Sequence, residues 1–373
     1  MTVYYILLLL MLLYGIAFRR NRKRFVIIAF GTLILFAGLR STSTGADLFH
    51  YIPNFEMIAN TSWSDLSRFV GNKAYDYGFV VLLKLLGTIS NKPQFFVFIT
   101  SLLTYGSVGR YIYKYSEDAA LETFLFVTTF IYFMYMTMIA EAIAIAIILF
   151  GLDYLQKKRY VVFSLFVLLA ATMHSSAIIC LGFIPLYNAK QNKKNIALAT
   201  LATLMVFLGF DYILDFSLKN ILPSYAWYQN SRWASGSGSS LFYTLLLVFY
   251  SSILILSYFG ANKLTKSASE SVSSNKGIMG SKLSGNFLVY MALIALLCRI
   301  LKYRMSVIER FAYYVYLFAH TLFSYMILVT FKNKTRFIVK SVVYIIFSIF
   351  YLVFAELVGV GIFRVVPYEF FWQ

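Results

Sequence analysis

Apolar residues along this chain gather into runs at 3–18, 25–39, 94–113, 121–137, 139–156, 160–173, 176–188, 195–211, 241–260, 286–301, 311–331 and 337–356, separated by short polar stretches. Uninterrupted apolar runs of this kind predict helices that cross a bilayer. Several are shorter than the roughly 20 residues that a full crossing needs, so their ends are loosely defined. The pattern predicts an all-α polytopic integral membrane protein with about twelve transmembrane helices, forming a single transmembrane domain over 1–373.

Charge between the runs orients them. Basic residues cluster at 19–24, 157–159, 189–195, 261–283 and 332–336. Cytoplasmic loops carry the excess of lysine and arginine, which places all five clusters inside. The run Tyr77 to Ile89 tests this placement, because it is about 13 residues long and contains Lys84. As a crossing it would put 157–159 outside. As a re-entrant or interfacial helix it keeps every basic loop inside. The expectation is therefore an outer loop over 40–93 with an interfacial helix, an outer loop over 212–240 and a cytoplasmic loop over 261–285. The first run is followed by Arg19–Arg24 and lacks a basic segment before it. It is read as an uncleaved first span.

Composition narrows the class. The chain is 60% hydrophobic and 13% charged, with a mean hydropathy of +0.74. A soluble domain of this size needs more charge, so the membrane reading stands. The net charge of +18 then reflects topology rather than nucleic-acid binding. Cys180 and Cys298 lie in apolar runs and suggest neither a disulfide framework nor a metal site. His50, His174 and His320 show no ligand spacing. No metal and no cofactor are expected.

With this topology, polar residues gather on one membrane face. Arg40 and Asp47 follow the second run, in GLRSTSTGADLFHYIPNF, with Tyr51 one helical turn after Asp47. Glu141 begins the fifth run, and His174 with Ser175 and Ser176 forms an outer turn. Arg299, Lys302, Arg304 and Arg310 lie where positive-inside bias disfavours cations. They are either snorkelling and paired, with Glu309 the obvious partner, or an anion site whose guanidinium forks suit phosphate oxygens. Asp47 reads either as a turn former or as a functional acid. His174 beside its serines reads either as a capped turn or as a proton acceptor. Mid-run His320 is expected to be a hydrogen-bonded packing residue, and the tail contributes Pro367 and Tyr368.

Taken in order, the GLR…GAD…Y loop, the Ala-Ile-Ala-Ile helix, the His-Ser-Ser-Ala turn, the late arginine-bearing turn and the terminal Pro-Tyr resemble the EpsG-like group of Wzy-type polysaccharide polymerases. The resemblance runs over nearly the whole chain through short motifs. It implies a metal-independent glycosyltransferase of the bacterial cytoplasmic membrane, with an active site facing outward. Such an enzyme moves a growing glycan from undecaprenyl diphosphate onto the next lipid-linked repeat unit. Arg40, Asp47 and Tyr51 match the first motif, His174, Ser176 and Ala177 the second, and Arg310 the late arginine. On this basis Asp47, Glu141 and His174 are the expected catalytic groups. Arg40, Tyr51, Ser176, Arg299, Arg304, Arg310, Tyr313 and Tyr368 are expected to bind substrate or its diphosphate. The implied partners are undecaprenyl-diphosphate-linked oligosaccharide, the bilayer and other polysaccharide-assembly proteins, with no nucleic acid.

The resemblance departs at Ala140-Glu141, where the family pattern reads arginine then glutamine. A methyl replaces a cation and a carboxylate replaces an amide, which implies either a new role for Glu141 or reduced activity. Three rival classes share some features. A flippase for lipid-linked sugars should carry charge through the membrane depth and show internal symmetry. A membrane O-acyltransferase is suggested by His174 and its serines alone. An intramembrane protease lacks a buried nucleophile, since the segment 234–240 reads as a loop.

Overall fold

The structure, a computed structural model, describes residues 1–70, 75–189, 240–260 and 283–373, with isolated positions between 201 and 220. The run expected at 195–211 and the loops expected at 212–240 and 261–285 fall outside the described residues, apart from such isolated positions.

The described residues are almost entirely helical. In chain order they form α1 (Thr2–Ala17), α2 (Arg22–Gly38), α3 (Leu48–Asn60), α4 (Tyr77–Ile89), α5 (Pro93–Tyr115), α6 (Ala119–Thr128), α7 (Ile131–Thr137), α8 (Ile139–Gln156), α9 (Tyr160–Met173) and α10 (Phe183–Asn188). There follow α11 (Leu241–Phe259), α12 (Gly285–Leu301), α13 (Glu309–Tyr313), α14 (Tyr316–Thr330) and α15 (Asn333–Gly361). Short 3₁₀ turns cover Trp63–Phe69 and Ser175–Gly182. Local chemistry sets several starts: the side chains of Asn21 and Asp118 accept from the amides of Arg24 (3.0 Å) and Leu121 (3.1 Å), and Pro93 occupies a first-turn position.

Four of these helices, α5, α8, α11 and α15, are long and apolar enough to cross a membrane. The number rises to six if α6 with α7, and the Ser306–Tyr313 segment with α14, each count as one crossing bent by 61°. The expected count of about twelve is not reproduced among the described residues. The reason is length: α1, α2, α9 and α12 hold 14 to 17 residues. At about 1.5 Å per residue they fall short of a hydrocarbon core of about 30 Å. The run at 121–137 also breaks, because Phe130 adopts a left-handed conformation (φ 64°) between α6 and α7. Its ring stacks on Tyr351 at 5.2 Å and 15°, packing that offsets the unfavourable backbone.

The expected single transmembrane domain groups into two compact units. The first holds Met1–Gly182 and Phe331–Gln373, and the second the described parts of Phe183–Gly277 and Leu283–Thr330.

In the first unit α2 packs on α5, and α8 packs on both α5 and α9. The core is rich in tyrosine, and each buried hydroxyl needs a partner. Tyr105 donates to the carbonyl of Tyr132 (2.9 Å), Tyr132 to that of Leu33 (3.0 Å) and Tyr4 to that of Val365 (2.8 Å). Within the expected loop 40–93, α4 lies against α3 and α9. Gly78 permits the approach to α9, because a side-chain carbon there would meet Thr172 Oγ1 at 2.2 Å. Lys84 is buried. Its ammonium donates to the carbonyl of Ala59 near the end of α3 (2.8 Å), where a helix C-terminus attracts a cation.

In the second unit α12 packs on α11 and α14. Phe183, Phe287 and Phe318 meet at 5.5–5.7 Å between ring centres and join α10 to this group.

Candidate functional site

The polar loop after α2 is stitched to the chain's tail. The amides of Ser41, Gly45 and Ala46 donate to the carbonyls of Glu369 (2.8 Å), Arg364 (2.8 Å) and Phe363 (2.7 Å). The amide of Phe371 returns a bond to Leu39 (3.0 Å). Gly45 sits at φ +135°, a region that a side chain would strain. Tyr368 completes the seam by donating to the carbonyl of Phe36 (2.7 Å).

Arg40 stands inside this seam and is 1% exposed. Its guanidinium donates to the carbonyls of Thr44 (3.0 Å), Met136 (2.6 Å) and Ala37, and reaches Ser101 Oγ at 3.4 Å. Ala37 lies in the last turn of α2 and Met136 in that of α7, so one cation serves two helix C-termini whose carbonyls lack intrahelical partners. This changes the expectation for Arg40. The side chain expected to meet a lipid diphosphate is spent on backbone oxygens.

A second group assembles where α3, α4, α8 and α9 meet. Tyr51, near the start of α3, offers its hydroxyl oxygen to the amide of Ala140 (3.3 Å), an otherwise unsatisfied donor in the first turn of α8. Its ring stacks on Tyr75 at 5.4 Å and 13°. Tyr75 in turn donates to the carbonyl of His50 (3.3 Å) and accepts from Asn54 Nδ2 (3.2 Å). Burial pushes the Tyr75 hydroxyl up to about 12, and the Asp47 carboxylate adds to the rise. Tyr75 therefore stays a neutral donor at physiological pH.

His174 caps the C-terminus of α9 between two carboxylates. Its Nδ1 lies 3.7 Å from Asp76 Oδ2 and its Nε2 lies 3.9 Å from Glu141 Oε2. Asp76 precedes α4 and accepts from the amide of Ser175 (2.8 Å), which ties it to the turn carrying the imidazole. Burial raises the Asp76 carboxyl above the usual carboxylate range, and the bonds from Ser175 moderate the rise. Glu141 is buried in the first turn of α8, where the helix dipole favours a carboxylate. His174 and Asp76 are half-buried, so this group joins a closed interior to an accessible edge. Ser176 follows on the same 3₁₀ turn.

The remaining expected residues belong to the second unit. Arg299 is buried, pairs with Glu309 and lies over the rings of Tyr250 (5.6 Å) and Tyr316 (5.1 Å). Lys302 pairs with the other oxygen of the same carboxylate and sits 3.2 Å above the Tyr243 ring. Of the two readings left open for these cations, the paired one describes Arg299 and Lys302. Arg304 is exposed, Arg310 is half-buried, and Tyr313 packs on Tyr316 at 5.6 Å. His320 is buried beside the Tyr250 hydroxyl (3.3 Å), as a packing residue.

The family model of the EpsG family matches residues 23–370. The chain belongs to the EpsG family. Comparison with curated proteins and with solved structures returned no match. In this EpsG chain Ala140 turns its amide to Tyr51, and Glu141 faces His174. Sequence reading missed Asp76 and Tyr75. Both stand just before an apolar run, in a loop that the sequence leaves without a partner. Only the packing of α4 on α9 brings Asp76 to His174.

Proposed function

We propose that this EpsG-family chain is a membrane polysaccharide polymerase, which transfers a growing glycan from undecaprenyl diphosphate to a hydroxyl of the next lipid-linked repeat unit at the outer leaflet. Family membership supports a polymerase-like role. The observation that carries the mechanism is the imidazole of His174 set between Asp76 and Glu141 at 3.7 and 3.9 Å.

In the proposed step the acceptor hydroxyl oxygen attacks the anomeric carbon at the end of the donor chain. A carbon–oxygen bond forms there while the bond to the diphosphate breaks, and its electron pair leaves with the diphosphate. The hydroxyl proton passes to His174. A neutral imidazole suits this task near neutral pH, and a positioned base contributes about 10²–10⁴ in rate. The flanking carboxylates stabilise the imidazolium that results. Burial raises the Tyr75 hydroxyl and the nearby Asp47 charge adds to the rise, so Asp47 is proposed to act beside Tyr75. Arg40 and Tyr368 fix the loop that carries Asp47. Orientation with 40–93 outward and about twelve crossings belongs to the same proposal.

The test is His174→Ala in cells that make the polymer, with protein abundance followed in parallel. Polymer should fall by about 10² or more, and single repeat units on undecaprenyl diphosphate should collect at the outer leaflet. Collection at the inner leaflet, with protein abundance unchanged, would indicate a flippase and overturn the reading.

A further inference from the structure

The end of the first unit opposite the Arg40 seam holds a cleft of about 850 Å³ that the proposed chemistry does not use. Four elements form it: the end of α1, the start of α2, the start of α6 and the start of α15. Its walls are amphipathic. Met11, Leu12, Ile16, Phe337 and Ile345 make an apolar side, and Ile16 and Phe337 are among the most exposed apolar residues of the unit. Arg19, Arg22, Arg336 and Lys340 stand against only two carboxylates, Glu117 and Asp118.

Four cations facing two carboxylates leave the lining with a surplus of positive charge. Asp118 is taken by Lys340 and by the amide of Leu121 (3.1 Å), which it caps. Arg22 spends one terminal nitrogen on the carbonyls of Ile112 (2.6 Å) and Ser116 (2.7 Å). Its Nε is buried and has no hydrogen-bond partner. Arg19 is exposed at the rim, and Arg336 is half-buried with its Nε on the carbonyl of Phe331 (3.1 Å). The cleft therefore offers guanidinium donors at one level and an apolar trough beside them.

We propose that this cleft binds an anionic phospholipid of the adjoining leaflet, with its phosphate on Arg19, Arg22 and Arg336 and an acyl chain along the α1–α15 side. Basic pockets between membrane helices are suited to such headgroups. The guanidinium groups supply the charge-assisted bonds that a phosphodiester accepts. A zwitterionic lipid brings its own cation and lacks this match. The segments lining the cleft, 19–24 and 332–336 among them, are those that positive-inside bias assigns to the cytoplasm, where the anionic headgroups lie. The occupied cleft would hold α1 and α15 together at that end. The proposal does not depend on the polymerase reading.

The test uses the full chain purified in detergent and exposed to mixed micelles of phosphatidylglycerol and phosphatidylcholine, with retained lipid measured by native mass spectrometry. Wild type should retain phosphatidylglycerol selectively, and millimolar inorganic phosphate should not displace it. The double variant Arg19→Ala/Arg336→Ala should bind it about thirtyfold more weakly, as expected for two cations near an anionic headgroup. Arg19→Lys/Arg336→Lys, which keeps both charges, should stay within about threefold of wild type. It separates loss of binding from loss of folding. A control at exposed cations elsewhere, Lys157→Ala/Lys158→Ala, should bind as wild type does. Equal retention of phosphatidylcholine, full displacement by phosphate, or equal weakening in the control would each overturn the proposal.

Discussion

A charged and aromatic cluster in each unit can be set side by side, and the two are built on opposite principles. Around Glu309 in the second unit, a buried carboxylate is shared by Arg299 and Lys302, and tyrosine rings cover both cations. Around His174 in the first unit, two carboxylates stand 3.7 and 3.9 Å from the imidazole, and the edge is half-exposed. The first arrangement leaves little for a substrate to engage. The second holds an imidazole between two carboxylates at an accessible edge. Sequence alone ranks the late arginines as the sharper signal, because they are more numerous and stand where cations are disfavoured. The difference teaches that density of charge marks a place where charge must be satisfied, whereas chemistry needs charge held slightly apart.

The most severe test of this contrast is Glu309→Ala. It leaves two buried cations without their counter-charge and should destabilise the fold by about 3–5 kcal/mol, read as a lowered Tm in detergent. Replacing all three residues together, as Arg299→Met/Lys302→Met/Glu309→Leu, should recover most of that loss. If Glu309→Ala unfolds no more easily than wild type, the cluster is not a closed structural network.

Arg40 sharpens the contrast, because its sequence neighbourhood suggests a ligand and its geometry a clamp. Arg40→Met removes charged donors from three carbonyls and should cost about 2–3 kcal/mol of stability. Arg40→Lys keeps the charge but not the fork, so it too should lower Tm. A variant that keeps the wild-type Tm and loses only polymer synthesis would return Arg40 to the substrate.

The smallest expected effect belongs to Asp76. Its folded-state carboxyl titrates above its unfolded value, since burial disfavours the charged form. Between those two values the folded chain binds more protons than the unfolded one, so stability falls as pH rises through that window. The loss is complete above the folded value. Asp76→Asn cannot ionise, and its stability should decline less over the same range, as followed by thermal unfolding against pH. Removing a carboxylate beside the imidazole should also move the acid limb of polymer synthesis to lower pH. An unchanged pH profile for both stability and activity would detach Asp76 from the site.

Much of the fold was legible in advance because apolar runs must form helices in a bilayer. Most apolar runs within the described residues reappear as helices, whereas 121–137 breaks at Phe130 and 176–188 begins as a 3₁₀ turn. Lengths were harder, since an apolar run does not show where the chain bends. The break at Phe130 and the 3₁₀ turn after His174 are fixed by packing against Tyr351 and by bonds from Ser175, neither of which is local. Of the site, His174 and Glu141 could be singled out because polar groups are rare at the ends of apolar runs. Asp76 and Tyr75 could not, because a loop aspartate and a loop tyrosine look ordinary until a partner is seen.

What the sequence determined by itself was class and family: a helical membrane chain, from hydropathy and the siting of its lysines and arginines, and an EpsG-family member, from short motifs in order. Those properties are sums over many residues or words read along one strand of chain, and they survive without coordinates. The tertiary structure alone decided the role of each charge. Arg40 and Arg310 carry the same side chain, but one is sealed on backbone carbonyls while the other is half-buried in a different unit. A guanidinium's function depends on which acceptors lie within about 3 Å of it, and one of those for Arg40, Met136, is distant in sequence, as are the carboxylates of Glu141 and Asp76 that flank His174.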